Sequence, residues 1–150
     1  MLQNYSRYRI LQEFFDYPRK SFHIRELSRR VKLAQISVVN HLTALLKEGL
    51  IIKEKGIIYN VFKANRESEQ FKLLKRQNMV LRIHESGFVK HIEESVHPTC
   101  IVLFGSASQG EGTEESDIDL FIQAEETEIN SVVIDIKDYT GGLGFIPKDP

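Results

Sequence analysis

Charge is not mixed along this chain, and that separation constrains its folding more than any single motif. Residues 1–66 carry 13 Lys/Arg against 5 Asp/Glu, a formal +8, whereas residues 67–150 carry 7 against 16, a formal −9. The overall net charge of −1 conceals both blocks. Two blocks of opposite sign are most simply housed on two bodies with different partners, a polyanion for one and cations for the other. A length of 150 residues suits one or two small domains, and with 41% hydrophobic residues each can have a core. No apolar run approaches the ~18–20 residues of a membrane span. The opening Met1-Leu2-Gln3-Asn4-Tyr5-Ser6-Arg7 lacks the basic-then-apolar pattern of an export signal. The lone Cys100 forbids an intrachain disulfide and suits a reducing interior, so a cytoplasmic protein without a membrane partner is expected.

The basic half, 1–66, reads as three short helices and a hairpin. Tyr8, Leu11 and Phe15 recur at helical spacing until Tyr17-Pro18. Ile24, Leu27 and Val31 define a second helix over 23–31, and Val38, Leu42 and Leu45 a third over 35–48, closed by Gly49. Two β-rich runs then flank Lys55-Gly56, as in a hairpin. Such a layout in a basic segment predicts a winged helix-turn-helix that binds double-stranded DNA. Opposite the third helix's buried stripe lie Ile36, Asn40, Thr43 and Lys47, with Ser37 beside them, and Gln35 at the start of the helix is a further candidate DNA contact. Asn40 has the chemistry to read an adenine edge, and Ile36 or Thr43 a thymine methyl. Lys47, Lys53 and Lys55, with Arg25, Arg29 and Arg30, are expected on the phosphate backbone. His41 reads as a packed structural histidine.

The stretch Ser37-Val38-Val39-Asn40-His41-Leu42-Thr43-Ala44-Leu45-Leu46-Lys47-Glu48-Gly49-Leu50-Ile51 resembles the recognition helix of the arsenical-resistance and multiple-antibiotic-resistance repressor classes. The resemblance spans 20–63 and departs at Val39 and Asn40, where those repressors often carry a Ser-Arg pair. It leaves base preference open. A winged helix used for protein contact or dimerisation is the alternative, and no residue pattern decides whether the chain forms a homodimer.

Residues 67–97 read as linker helices. Phe71, Leu74, Met79, Val80 and Leu81 predict an amphipathic helix over 67–84, interrupted at Ser86-Gly87, resuming over 88–92 and ending before His97-Pro98. His84, His91, His97 and Cys100 are spaced like no common zinc site.

The acidic half, 98–150, carries the chemistry. Cys100-Ile101-Val102-Leu103-Phe104 is an apolar run of strand length that leads straight into Gly105-Ser106. A polar loop follows, and then Ser116-Asp117-Ile118-Asp119-Leu120-Phe121-Ile122. Strand alternation would put Asp117 and Asp119 on one face, about 6.5 Å apart. Two such carboxylates repel unless a divalent cation lies between them. Glycine lets a phosphate approach the backbone, and the Ser106 hydroxyl can donate to its oxygens. A phosphate cradle followed by paired aspartates implies a metal-bound nucleotide. The bland alternative is a tight loop capped by exposed acids.

The stretch Leu103-Phe104-Gly105-Ser106-Ala107-Ser108-Gln109-Gly110-Glu111, through Ser116-Asp117-Ile118-Asp119-Leu120, resembles the minimal nucleotidyltransferases of the DNA polymerase β superfamily. The resemblance implies that Gly105 and Ser106 bind the triphosphate, that Asp117 and Asp119 hold two magnesium ions, and that a third carboxylate helps activate the acceptor hydroxyl. The cofactor expected is Mg²⁺, as the resemblance implies, or Mn²⁺. Asp135, between apolar neighbours in Val132-Val133-Ile134-Asp135-Ile136, is the candidate for that third group, with Asp138 behind it. Ala107 and Gln109 stand where the family commonly has arginines. Asp135 follows Asp119 without the long helix the family usually inserts, so an abbreviated or truncated domain is expected. The fold class is α+β: a winged helix, a linker helix and an α/β nucleotidyltransferase-like domain. The leading expectation is Mg²⁺-dependent transfer of a nucleoside monophosphate to an unknown acceptor. The alternatives are a non-catalytic transcriptional regulator whose degenerate transferase domain senses a ligand, and an antitoxin-like partner.

Overall fold

The computed structural model of the chain describes residues 5–56 and 58–124. Helix α1 (Ser6–Asp16) places Ile10, Leu11, Phe14 and Phe15 on one buried side, and Pro18, just beyond its cap at Tyr17, prevents its continuation. Helix α2 (Ile24–Val31) buries Leu27 and Val31. Helix α3 (Gln35–Lys47) buries Val38, Leu42 and Leu45. It closes at Gly49, whose φ of 70° only glycine adopts without strain. Gly49 N–H donates to the Leu46 carbonyl and Leu50 N–H to that of Leu45, both at 3.0 Å, the two bonds of a Schellman cap.

Strands β1 (Ile51–Lys55) and β2 (Asn60–Ala64) pair antiparallel, from Ile51 opposite Ala64 to Lys55 opposite Asn60. Phe22 exchanges two backbone hydrogen bonds with Phe62, at 2.8 and 2.9 Å, which draws the segment before α2 onto β2. Phe14, Phe22, Leu27, Leu42, Leu45 and Leu50 form the centre of the core, and each contributes about 1.5–3 kcal/mol of transfer free energy. Phe14 meets Phe22 edge-on with ring centroids 5.2 Å apart.

Helix α4 (Glu69–Glu85) starts at Ser68, whose hydroxyl accepts the Phe71 N–H at 3.3 Å. Phe71 packs on Phe15 and Leu74 on the same core. The rest of its buried face differs from the sequence expectation. Lys75 and Asn78 are buried, while Val80 and Leu81 are 40% and 42% exposed. Positions 75, 78, 82 and 86 follow Phe71 at helical spacing, so once Phe71 is anchored they must turn inward. Each finds a polar partner there. Tyr8 donates to Asn78, Arg82 to Asp16, Lys75 to the Gly112 carbonyl and Ser86 to the Ile83 carbonyl.

Gly87, at φ 77°, separates α4 from α5 (Phe88–Val96), which buries Ile92. Strand β3 (Cys100–Phe104) then leads into a short helix α6 (Gly105–Gln109), where a turn was expected, and β4 (Asp119–Gln123) returns antiparallel to β3. The molecule is thus a mixed α+β protein with two small antiparallel sheets. Among the described residues no helix is long and apolar enough to cross a membrane. Segment 132–136, with Asp135, and Asp138 lie outside the described residues.

Candidate functional site

Antiparallel pairing sets the site. The register places Asp119 opposite Phe104, the residue before Gly105. Gly105 has a φ of 69°, and a Cβ built on it would lie 2.4 Å from Oδ2 of Asp119. Glycine is therefore favoured by its left-handed backbone, and its missing Cβ leaves the carboxylate this position. Twelve residues of intervening sequence, 107–118, fold back so that Gly105, Ser106 and Asp119 share one end of the β3–β4 ribbon.

The loop after α6 is tied to Ser106. The Ser106 carbonyl accepts the N–H groups of Glu111 and Gly112 at 3.0 and 3.2 Å. A Cβ on Gly112 would lie 3.7 Å from the Ser106 hydroxyl oxygen. Ser108 donates to the Gly105 carbonyl at 2.8 Å, and Ser116 accepts the Thr113 N–H at 2.8 Å. The Ser106 side chain thus sits over a braced turn.

Asp117 and Asp119 are both exposed, but only Asp119 is in the strand. Strand β4 begins at Asp119, so Asp117 lies two residues ahead of it, where the chain is leaving the loop that Ser116 braces. Among the described residues neither carboxylate has a cationic partner, and 98–124 contains five Asp/Glu and no Lys or Arg. Two uncompensated carboxylates supply the hard oxygen donors that suit Mg²⁺ or Mn²⁺, ions that take one or two carboxylates and keep several waters. Among the described residues no three His, Cys, Asp or Glu gather into a metal-binding group, and Asp135 lies outside them.

Residues from α4 that the sequence reading did not single out complete the surroundings. Lys75 is 7% exposed and donates its ammonium hydrogen bond to the Gly112 carbonyl. Burial, aided by Arg66, lowers its pKa to about 8, against the opposing pull of Asp16 and Glu114. Lys72 pairs with Glu111 at 3.1 Å and with Glu69 at 3.4 Å. Gly110 lies so close to the backbone of Lys72 that a Cβ would fall 2.1 Å from its carbonyl oxygen. The available signal was the helical spacing of Lys75 from Phe71, which the apolar residues at 79–81 masked.

On the basic half, Gln35, Asn40, Thr43 and Lys47 are exposed on α3, Ile36 is 75% exposed, and Ser37 is half-buried. The Thr43 hydroxyl donates to the Val39 carbonyl at 2.9 Å. Lys53 and Lys55 are exposed on β1. Arg30 is engaged by Glu13 at 2.5 Å and lies over the Tyr17 ring, which leaves Arg25 and Arg29 as the freer cations of α2. His41 is half-buried.

Residues 88–142 match the family model described as polymerase beta, nucleotidyltransferase. The match covers α5, β3, α6 and β4 and continues past residue 124, and it supports a nucleotidyltransferase domain in the C-terminal part of the chain. No curated protein and no solved structure matches the chain.

Proposed function

We propose that the C-terminal part transfers a nucleoside monophosphate from a nucleoside triphosphate to an acceptor hydroxyl, and that the N-terminal part binds double-stranded DNA as a winged helix. One observation carries the first half: the Asp119 carboxylate lies against Gly105, immediately before Ser106. The carboxylate read as a metal ligand is thereby brought to the residue that precedes the serine read as a phosphate ligand. The acceptor hydroxyl gives its proton to a carboxylate, for which Asp135 is the candidate; its oxygen forms a bond to the α-phosphorus as the bond to the bridging oxygen breaks, and pyrophosphate leaves. Ser106 holds phosphate oxygens, and Asp117 and Asp119 hold the cation. Mg²⁺ bound there supplies charge neutralisation on the phosphates. Everything else is positioning, which in such transfers accounts for much of the rate.

The Asp119→Asn variant tests this reading, because the amide cannot supply the carboxylate's charge. Transfer of label from an α-labelled triphosphate should fall at least ~100-fold, the scale on which loss of an electrostatic stabiliser acts. Undiminished labelling would refute the assignment.

The DNA-binding half rests on the order of three helices and a hairpin, with Phe22 paired to Phe62. The exposed polar and cationic residues Gln35, Asn40, Thr43, Lys47, Lys53 and Lys55, with half-buried Ser37, are its proposed contacts. A second reading, a regulator whose transferase domain binds a ligand without turnover, is favoured by one feature. Ala107 is buried, Gln109 is uncharged, and no Lys or Arg occurs in 98–124 to grip a triphosphate.

A further inference from the structure

Helix α4 reaches the candidate site with one side chain. The Lys75 ammonium is buried beneath the loop that follows α6 and donates to the carbonyl of Gly112. The N–H of the same Gly112 donates to the carbonyl of Ser106 at 3.2 Å, and its Cα faces the Ser106 hydroxyl. Two hydrogen bonds, one at each backbone group of Gly112, therefore link Lys75 through this single residue to the backbone carbonyl of Ser106, which follows the glycine that Asp119 lies against. Two neighbouring contacts hold the same loop on the same helix: Lys72 with Glu111, and Gly110 against the Lys72 carbonyl.

We propose that Lys75 is a positioning residue for phosphate binding: it fixes the 110–116 loop through Gly112 and so presents the Ser106 hydroxyl to the triphosphate. This role rests on the reading of Ser106 as a phosphate ligand. A cation buried for packing alone would be poorly chosen, because an apolar side chain of similar volume fills such a space at lower cost. Here the cation faces Asp16 on α1, Arg66 between β2 and α4, and Glu114 on the loop itself. Oε2 of Glu114 is buried and has no hydrogen-bond partner among the described residues, so the loop brings a carboxylate into this region. The lysine answers that carboxylate and the Gly112 carbonyl together. Methionine would match its shape but could do neither.

The test uses the full chain and a probe that makes no assumption about the base, Mg²⁺ with inorganic tripolyphosphate, titrated by calorimetry. Lys75→Met should weaken binding about tenfold, the loss equivalent to one charge-assisted hydrogen bond. Amide exchange should accelerate in 110–116 and stay unchanged in α1–α3. Lys75→Arg, which retains a cationic donor, should recover binding. Wild-type affinity in Lys75→Met overturns the positioning role, and so does equal loss in the Met and Arg variants, which would mark the side chain as packing alone. Failure of the wild-type chain itself to bind tripolyphosphate overturns the phosphate reading instead, and this role with it.

Discussion

Two residues show how much of the site depends on a few atoms. At Gly105 the missing Cβ is what allows the Asp119 carboxylate its place. Gly105→Ala should displace that carboxylate and, through the left-handed backbone, cost about 1–2 kcal/mol of stability. Mn²⁺ affinity should drop with it, as read by titration of the paramagnetic ion. At Lys75 the consequence is pH dependence. Its native pKa is lowered to about 8 from 10.5, so below pH 8 the charge is carried at a cost in the folded state. Between pH 8 and 10.5 the unfolded chain holds the proton that the native state has released, and stability must rise with pH. The wild-type protein should gain about 2 kcal/mol relative to Lys75→Met across that window, measured by urea denaturation at a series of pH values. A flat difference would contradict the burial of the charged amine.

At the scale of elements, α4 is inside out by composition. Its buried stripe is Phe71, Lys75, Asn78 and Ile83, and Leu73, Val80 and Leu81 face outward. The cause lies in what it packs against: α1 offers the Tyr8 hydroxyl and the Asp16 carboxylate, and the 110–116 loop offers backbone carbonyls. Substitution should therefore reverse the usual ranking. Asn78→Ala leaves the Tyr8 hydroxyl without its partner and should cost about 1–2 kcal/mol. Leu81→Gln should cost no more than about 0.5 kcal/mol. Chemical denaturation of both variants decides it. The ordinary elements show the opposite behaviour. In α3 apolar spacing identified the buried Val38, Leu42 and Leu45, and in α2 Leu27 and Val31, whereas in α1 it found Leu11 and Phe15 but not Ile10 and Phe14, and Tyr8 is half-buried with its hydroxyl on Asn78.

Across the whole molecule, α4 is the shared support of two oppositely charged parts. It packs through Phe71 into the basic half and through Lys72 and Lys75 onto the acidic one. The proposed DNA contact belongs to this scale because it depends on the field of the entire basic half. Affinity for duplex DNA should fall with salt by roughly 0.9 log units per log unit of salt for each phosphate neutralised. Lys53→Ala should reduce that slope by about one phosphate with little change in sequence preference, whereas Asn40→Ala should cost about 1–3 kcal/mol on the preferred site only. Fluorescence anisotropy at several salt concentrations reads both. A salt-independent interaction would remove the polyanion as a partner.

The sequence by itself determined the order of helices and strands apart from the short α6, the division of charge, and the pairing of a Gly-Ser step with downstream aspartates. These are legible because periodicity, breakers and short motifs act within a few residues of chain. Only the tertiary structure decided that β4 starts at Asp119 and leaves Asp117 ahead of it, that α4 turns its polar residues inward, and that Lys75 lies under Gly112. Each of those depends on a partner 15 to 70 residues away along the chain. No local pattern encodes which surface a side chain will meet, because burial is a property of the pair in contact and not of either residue alone.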